Sequence, residues 1–504
     1  MLGESWLPDL FILMNTDQKQ IKTRFAPSPT GYMHIGNLRT ALYSYLIAKS
    51  LGGSFMLRIE DTDQNRYVEG AMDVIYKTLE LCGLDFDEGP SKDCGNGPYI
   101  QSERGPIYRE YAKKLVETGH AYYCFCSKER LDALRADCEA KNIPYEYDGH
   151  CKKLSAEEIQ AKLDAGEPYV IRQIMPKEGV STFDDAVYGP ISIDNRTLEE
   201  QILLKSDGLP TYNFANVIDD HLMGVTHVVR GNEYITSTPK YNLLYDAFGW
   251  ERPCYIHLPL ITKEGGKKLS KREGDASFQD FYEKGFLTDA ILNFVALLGW
   301  SPGGEREIYS LKELTEVFSI KGINTSPAVF DMVKFRWMNS EYIKRMEPEA
   351  FHQKALPYYQ QCLTRPLQLE RISQLLQSRL EVFNEIPLLV DFFENVLDYD
   401  VSMYEHKKMK TTVAGSLTAL EELLPVLEAV PVWEEEAIHA ALMALIAEKG
   451  CKNGIYLWPL RTALSGKQST PGGATEIAYI LGKEETLRRI HLAIEKIAAA
   501  EGKE

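Results

Sequence analysis

A strand, a tight loop, a helix and a second strand follow one another in Lys22–Glu60, and this order constrains the fold more than any other feature. Lys22–Ala26 is typical of a short buried strand, and Pro27–Gly31 ends it with residues that favour tight backbone geometry. Helical spacing then continues up to Gly52–Gly53, and it is set by Leu38, Ala41, Leu42, Tyr45 and Leu46. In Ser54–Glu60 the side chains alternate as they do in a strand. This βαβ unit predicts a parallel sheet.

The composition indicates a multidomain protein in which any contact with nucleic acid is local. Hydrophobic residues make up 44% and charged residues 26% of the 504 residues, which is enough for several packed cores. The formal net charge of -17 argues against a whole surface that binds nucleic acid.

The sequence predicts a cytoplasmic protein that does not enter a membrane. No apolar run reaches the roughly 20 residues that a membrane span requires, and Leu10–Met14 follows acidic residues instead of a basic leader. The nine cysteines are an odd number and are mostly scattered, which favours a reducing compartment over a disulfide framework. Residues 1–20 lack clear periodicity and are set apart as an N-terminal extension, with Met14 as a second candidate start.

His34 and Gly36 fall where the first predicted helix begins. Helix N-termini at the carboxyl edge of a parallel sheet offer free N–H groups and a partial positive charge to phosphates. A His-Ile-Gly triplet alone is more often structural, but the wider string RFAPSPTGYMHIG, residues 24–36, closely resembles the HIGH-motif region of the glutamyl-tRNA synthetases. The resemblance implies a class I synthetase with a Rossmann-type α/β catalytic domain.

A second motif, KLSKR at residues 268–272, resembles the KMSKS loop of the same family. Alone, such a cluster of lysines is more often a solvated surface, and the chain has no Walker-type phosphate loop. The expected order and distance of the two motifs favour the family. The ATP-binding residues that the resemblance implies, together with Mg²⁺, are His34, Gly36, Lys268, Ser270, Lys271 and Arg272. The catalytic residues that it implies are His34 and Lys271.

Arg58–Asp63 and Pro210–His221, which runs on into Val228–Gly231, resemble the glutamate pocket of the family. Glutamate carries one ammonium and two carboxylates, so a selective pocket needs an acidic residue and fork-shaped cationic donors. By resemblance, the arginines meet the carboxylates and Glu60 meets the ammonium; the full implied set is Arg24, Ser28, Glu60, Tyr212, Asn216 and Arg230. A magnesium site or turn capping is the alternative for Glu60.

Three cysteines lie close together in the stretch between the two halves of the predicted nucleotide fold. Cys124 and Cys126 are two apart and Cys151 follows in the same compact segment, a spacing that suits a zinc knuckle. Family members that keep the metal carry CxC followed by YxxxC or CxH. The match to YxxxC implies a structural Zn²⁺ with the ligands Cys124, Cys126, Tyr147 and Cys151. His150 is the rival fourth ligand, and reduced cysteines without metal are the alternative.

The second half of the chain is predicted to be helical. One amphipathic helix is marked by Leu487, Ile490, Ile494 and Ile497. A helical C-terminal region favours a glutamyl enzyme, because related glutaminyl enzymes carry β-barrels there. The predicted organisation is an N-terminal extension at 1–20, the two halves of the Rossmann fold at 21–105 and 205–275, an inserted α/β acceptor-binding domain at 106–204, a stem-contact domain at 276–345, and an all-α anticodon-binding domain at 346–504.

The resemblance implies a monomeric enzyme that activates L-glutamate with ATP and transfers it to the 3′ end of tRNA-Glu. Whether tRNA-Gln is also charged stays open. A truncated paralogue that glutamylates a tRNA base lacks the helical tail, and a simple nucleotidylyltransferase lacks both insertion and tail. A non-catalytic relative would show decayed motifs, whereas His34, Glu60, Arg230 and Lys271 are intact.

Overall fold

The computed structural model describes residues 20–143, 145–267, 277–396 and 398–501. The chain forms two compact units. The first comprises Met1–Phe281 and Ile291–Asp331, and the second comprises Tyr282–Ala290 and Met332–Glu504. None of the described helices combines the length and the apolar character that a membrane crossing requires.

The strands of the described residues all lie in the first unit. They are β1 Lys22–Phe25, β2 Ser54–Leu57, β3 Ala121–Cys124, β4 Val170–Gln173, β5 Val180–Asp185, β6 Gly189–Asp194, β7 Ile202–Leu204, β8 His227–Gly231, β9 Cys254–Leu258, β10 Ile261–Thr262 and β11 Ala328–Val329. A six-stranded sheet has the order β2-β1-β8-β9-β5-β6 and is parallel except for β6. Strands β3, β4 and β7 form a separate antiparallel sheet, and β10 pairs in parallel with β11.

Helices of the described residues up to residue 317 are α1 Ile35–Ser50, α2 Ala71–Leu81, α3 Gly105–Glu117, α4 Lys128–Ala140, α5 Ala156–Asp164, α6 Tyr212–Leu222, α7 Thr238–Phe248, α8 Phe278–Glu283, α9 Thr288–Ala296 and α10 Leu311–Val317. Helices α3, α6 and α7 share one hydrophobic core with the small β3-β4-β7 sheet, and this core includes Tyr108, Leu115, Ile171, Leu203, Phe214 and Leu244. Apolar burial therefore packs the small sheet against α3, which precedes its strands in the sequence, and against α6 and α7, which follow them.

The predicted βαβ unit is confirmed as β1, α1 and β2. Gly53 permits the close return into β2, because a Cβ at this position would lie 2.2 Å from the carbonyl oxygen of Ile21. The regular strand ends at Leu57 and not at the expected Glu60. The reason is that Pro27, which follows β1 and lies opposite residues 58–60, has no N–H to donate back to this stretch, so the paired hydrogen bonds of a regular ladder stop.

The hairpin of β5 and β6 lies within residues 106–204, which were predicted to be an insertion, yet it extends the large sheet. Asp185 at the end of β5 pairs in parallel with Tyr255 of β9. This stretch therefore contributes to both sheets. The domain boundaries themselves stay a prediction.

Beyond residue 331 the regular elements of the described residues in the second unit are all helices. Its helices are α11 Met332–Arg345, α12 Pro348–Tyr359, α13 Leu369–Leu376, α14 Ile386–Val390, α15 Val413–Glu428, α16 Glu435–Glu448, α17 Gly454–Ser465, α18 Ala474–Leu481 and α19 Lys483–Glu501. Ile490 and Ile497 of the predicted apolar stripe are fully buried in its core, and Leu487 and Ile494 pack against that core. The predicted combination of an α/β fold with an all-α C-terminal region is confirmed.

Candidate active site

A cavity of about 610 Å³ opens at the carboxyl ends of β1 and β8, and we call it the β1–β8 cavity. Its wall contains the predicted site residues Arg24, Ser28, His34, Gly36, Glu60, Tyr212 and Arg230. Within the described part of the chain, the wall does not include Asn216, which is buried one helical turn behind Tyr212. Lys268, Ser270, Lys271 and Arg272 lie outside the described residues.

His34 caps the helix α1 at the rim of this cavity. Its Nδ1 accepts a hydrogen bond from the backbone N–H of Gly36 at 3.0 Å. In a neutral imidazole this contact places the proton on Nε2, which becomes a donor. A Cβ at residue 36 would lie 3.2 Å from His34 Nδ1, so glycine leaves room for the cap. The arrangement combines a helix N-terminus with an N–H donor, as an anion site requires.

A buried network of ion pairs, which we call the ion-paired floor, consists of Arg24 and Glu60, which line the cavity, and of Arg58 and Asp220, which pair with them. Arg58 donates to Glu60 Oε1 at 2.8 Å and to Asp220 Oδ1 at 2.7 Å. Arg24 Nε donates to the same Asp220 oxygen at 3.1 Å. The side chains of all four are at most 4% exposed. Each charge of the floor is therefore met by an opposite charge of the protein.

The two carboxylates of the floor differ in their pKa. Burial raises the pKa of Glu60 above its usual value, and the charges of Arg58 and Arg24 only partly oppose this shift. For Asp220 burial also acts to raise the pKa, but Arg24 and Arg58 outweigh it and the pKa lies below its usual value. Glu60 Oε1 accepts from Arg58, whereas no described residue donates to Oε2. Glu60 thus keeps one carboxylate oxygen for a cationic ligand.

Asp219 continues the network away from the cavity. It accepts from Arg104 Nε at 2.7 Å, from the Tyr108 hydroxyl at 2.8 Å and from Gln101 Nε2 at 2.9 Å. Gln101 Nε2 also reaches Glu60 Oε1 at 3.4 Å. These contacts fix the floor from behind.

Arg230 stands in a different environment, which we call the Arg230 wall. Its Nε donates to His257 Nε2 at 3.2 Å and its Nη2 donates to Thr238 Oγ1 at 3.0 Å. The Tyr241 ring lies 4.5 Å from the guanidinium carbon. Although Arg230 is only 4% exposed, no carboxylate among the described residues forms an ion pair with it. A buried cation with neutral partners is suited to receive an anionic ligand.

The predicted zinc ligands come together on the small sheet. The sulfurs of Cys124, Cys126 and Cys151 lie within 4.8 Å of one another, a group that could hold a metal ion. The Tyr147 hydroxyl lies 3.4 Å from Cys124 Sγ and 3.3 Å from Cys126 Sγ. His150 is exposed and contributes no atom to this group. Three clustered sulfurs, with a phenol oxygen beside two of them, provide four candidate ligand atoms, which is the number that a structural zinc site takes.

Arg58, Asp220 and His257 were not predicted as site residues. Arg58 and Asp220 lie inside the two segments that resemble the glutamate pocket, so their position was a usable signal. His257 belongs to no quoted motif, and the sequence offered no sign of its contact with Arg230.

Comparison with known proteins places the chain in a family. Residues 20–337 match the model of class I tRNA synthetases (E and Q), catalytic domain, and residues 350–494 match the model of an anticodon binding domain. Glutamate–tRNA ligase of Clostridium botulinum (strain Hall) is 61% identical over 480 residues, which cover 95% of this chain and 99% of that protein. The enzyme of Clostridium acetobutylicum is 60% identical over 479 residues, with 95% and 99% covered.

A solved structure shows the same relationship. The crystal structure of a glutamate tRNA ligase from Elizabethkingia meningosepticum, in complex with its amino acid, is similar with a TM-score of 0.86 and 36% identity. The similarity covers 95% of this chain and 100% of that one. The chain therefore belongs to the glutamate–tRNA ligases, enzymes of the class I aminoacyl-tRNA synthetases.

Proposed function

We propose that the β1–β8 cavity binds L-glutamate and Mg²⁺–ATP and forms glutamyl-adenylate, which is then transferred to the 3′ end of tRNA-Glu. The observation that carries this proposal is the buried Arg230, which lines the cavity and has only neutral partners among the described residues. The side-chain carboxylate of glutamate supplies the missing anion.

The rest of the amino acid is held by the floor. The ammonium meets Glu60, whose Oε2 receives no hydrogen bond from the described residues, and Arg24 binds a carboxylate oxygen. Ser28 and Tyr212 add hydrogen bonds from the wall. Asn216 donates to the Tyr212 carbonyl at 2.7 Å, and we assign it the role of fixing this turn.

Adenylation is an in-line attack of the substrate α-carboxylate on the α-phosphate of ATP, with diphosphate as the leaving group. Because the nucleophile is already ionised, the protein needs to place the reactants and stabilise charge. We assign charge stabilisation to His34 and Lys271. Gly36, Lys268, Ser270 and Arg272 complete the ATP site by resemblance, and a terminal ribose hydroxyl of the tRNA then displaces AMP.

We assign a structural Zn²⁺ to Cys124, Cys126, Tyr147 and Cys151. The convergence of three sulfurs and one phenol oxygen supports this set over the one with His150. When bound, the ion would cross-link a segment that is too short for a large core of its own. The four residues tie β3 to the turn around residue 150, in the stretch 106–204 that we propose binds the acceptor end.

The remaining assignments follow the family. We propose that residues 276–345 contact the tRNA stem, that residues 346–504 bind the anticodon, and that the enzyme is a monomer. We propose tRNA-Glu as the substrate, with additional charging of tRNA-Gln as the alternative.

Charging assays with purified tRNA-Glu and tRNA-Gln, each with radiolabelled glutamate or glutamine, test the proposal. We expect glutamate on tRNA-Glu, and Lys271→Ala should lower the single-turnover adenylation rate by about 10²–10³. No transfer of glutamate to either tRNA would refute the proposed reaction. An unchanged adenylation rate would refute the role of Lys271 alone.

A further inference from the structure

A buried carboxylate and a buried imidazole stand behind Arg230, outside the β1–β8 cavity wall. His257 Nδ1 lies 2.6 Å from Asp185 Oδ2, and both side chains are completely shielded from solvent. His257 is on β9 and Asp185 ends β5, so the pairing of these two strands brings the pair together.

The hydrogen bonds of Asp185 determine the tautomer of His257. Asp185 Oδ1 accepts from the backbone N–H groups of Val187 and Tyr188, each at 2.9 Å, and Oδ2 accepts from the backbone N–H of His257 at 3.2 Å. A carboxylate held in this way is an acceptor, so the proton of the imidazole lies on Nδ1. His257 Nε2 is then an acceptor, which agrees with the donation from Arg230 Nε. Burial lowers the pKa of His257 and favours this neutral form.

This acceptor fixes the orientation of the Arg230 guanidinium. Nε and Nη2 share one edge of the guanidinium plane, and that edge is occupied by His257 Nε2 and Thr238 Oγ1. The rings of Tyr241 and Tyr255 lie 4.5 and 5.3 Å from the guanidinium carbon. Among the described residues no acceptor is bonded to Nη1, so the Nη1–Nη2 edge is the one left for a ligand. This edge suits a carboxylate with two parallel N–H···O bonds.

We propose that Asp185 and His257 are positioning residues that make the enzyme select glutamate over glutamine by holding the Nη1–Nη2 edge of Arg230 toward the substrate side chain. The inference rests on the proposed role of Arg230. A fixed two-donor edge rejects an amide, because the amide NH₂ would face an N–H group, whereas a mobile arginine can turn to the amide oxygen alone. The hairpin β5–β6 thus contributes to amino-acid selection.

Asp185→Asn is the sharpest variant. The amide oxygen must take the place of Oδ1, which accepts two backbone N–H groups, so the amide NH₂ points at His257 Nδ1. The imidazole proton is then forced to Nε2, where it opposes Arg230 Nε–H. His257→Asn and His257→Gln form a matched pair: the shorter amide reaches Asp185 only, while the longer one places an acceptor near Arg230.

The experiment measures kcat and KM for glutamate and glutamine in tRNA charging, with thermal unfolding of each variant as a control for folding. We expect Asp185→Asn and His257→Asn to lower the glutamate-to-glutamine ratio of kcat/KM by about tenfold or more, chiefly through KM for glutamate. His257→Gln should retain most of the ratio. An unchanged ratio in a folded Asp185→Asn or His257→Asn protein would overturn the inference, and the His257 pair decides alone if Asp185→Asn does not fold. Absence of glutamate charging by the unaltered enzyme would overturn the proposed function, and the inference with it.

Discussion

The ion-paired floor and the Arg230 wall both contain buried arginines at or behind the lining of the same cavity, but the partners of these arginines differ. Arg58 has carboxylate partners at 2.8 and 2.7 Å, whereas Arg230 has an imidazole and a hydroxyl as hydrogen-bond partners. A buried charge that the protein neutralises stabilises the fold, and one that it leaves without a counter-charge is available to a ligand. The difference separates Arg58, whose charge the protein neutralises, from Arg230, whose charge is left for a ligand.

Replacing an arginine of the floor should give the largest effect. Arg58→Met leaves Glu60 and Asp220 buried without their shared cation, so we expect the free energy of unfolding to fall by about 3–5 kcal/mol. Denaturant unfolding measures this loss, and charging with glutamate and glutamine should decline together. If the variant is as stable as the unaltered protein, the ion pairs of Arg58 do not stabilise the fold.

The matched variant of the wall should separate stability from selectivity. Arg230 forms no ion pair with a carboxylate of the described residues, so Arg230→Met leaves no such carboxylate buried without a partner. We therefore expect a much smaller loss of unfolding free energy than for Arg58→Met. Because the substrate carboxylate loses its fork, kcat/KM for glutamate should fall by about 10²-fold or more, and kcat/KM for glutamine should fall less. Equal losses for the two amino acids would mean that Arg230 serves only general binding.

The sequence predicts Arg230 and several other residues that line the cavity, but not the different partners of Arg58 and Arg230. Arg24, Glu60 and Arg230 were assigned because each lies in a recognisable segment, and all three line the cavity. Which carboxylate meets which arginine depends on where the fold places α6, which carries Asp220, relative to Arg24 on β1 and to Arg58 just after β2. No local pattern specifies that Asp220 bridges Arg24 and Arg58.

The same limit applies to long-range strand pairing. The βαβ unit could be predicted because its parts are adjacent in sequence and its glycines mark its turns. The hairpin of β5 and β6 was assigned to the insertion by its position along the chain, but hydrogen bonding places it beside β9. The Asp185–His257 contact is a product of this pairing, so it could not have been predicted without the sheet order.

The pH dependence of glutamate binding should sharpen the description of the floor. The pKa of Glu60 is raised by burial, so Glu60 takes up a proton at a higher pH than an ordinary glutamate side chain. The neutral form cannot attract the substrate ammonium, and KM for glutamate should rise as pH falls through this pKa, approaching tenfold per pH unit. Steady-state assays at pH values above about 4.3, the usual pKa of a glutamate side-chain carboxyl, measure the effect, because the side chain of the substrate then stays ionised.

Glu60→Gln is the control for this prediction. Its KM should be high and nearly independent of pH in the same window. Without substrate, pH acts on the stability of the fold. The raised pKa of Glu60 contributes stability at low pH that is lost as pH rises. The lowered pKa of Asp220 contributes stability at higher pH that is lost as pH falls. If KM for glutamate does not change with pH in the unaltered enzyme, Glu60 does not bind the substrate ammonium.

The smallest effect on the cavity is expected from the cysteine cluster, which lies on a different sheet. Tyr147→Phe should reduce the zinc content measured by elemental analysis, and His150→Ala should leave it unchanged, because Tyr147, unlike the exposed His150, places its hydroxyl beside two of the sulfurs. KM for glutamate should change little in either variant, while KM for tRNA should rise with metal loss. Full zinc in Tyr147→Phe with loss in His150→Ala would reverse the ligand assignment.

A crystal structure of the enzyme with glutamate bound tests the central claim about Arg230 most directly. We predict that the side-chain carboxylate accepts two hydrogen bonds of about 2.7–2.9 Å from Nη1 and Nη2 of Arg230, while Nε stays on His257. The ammonium should lie against Glu60. A side-chain carboxylate bound elsewhere, or an Arg230 paired with a protein carboxylate in the complex, would contradict the division between Arg58, which the protein neutralises, and Arg230, which is left for the substrate.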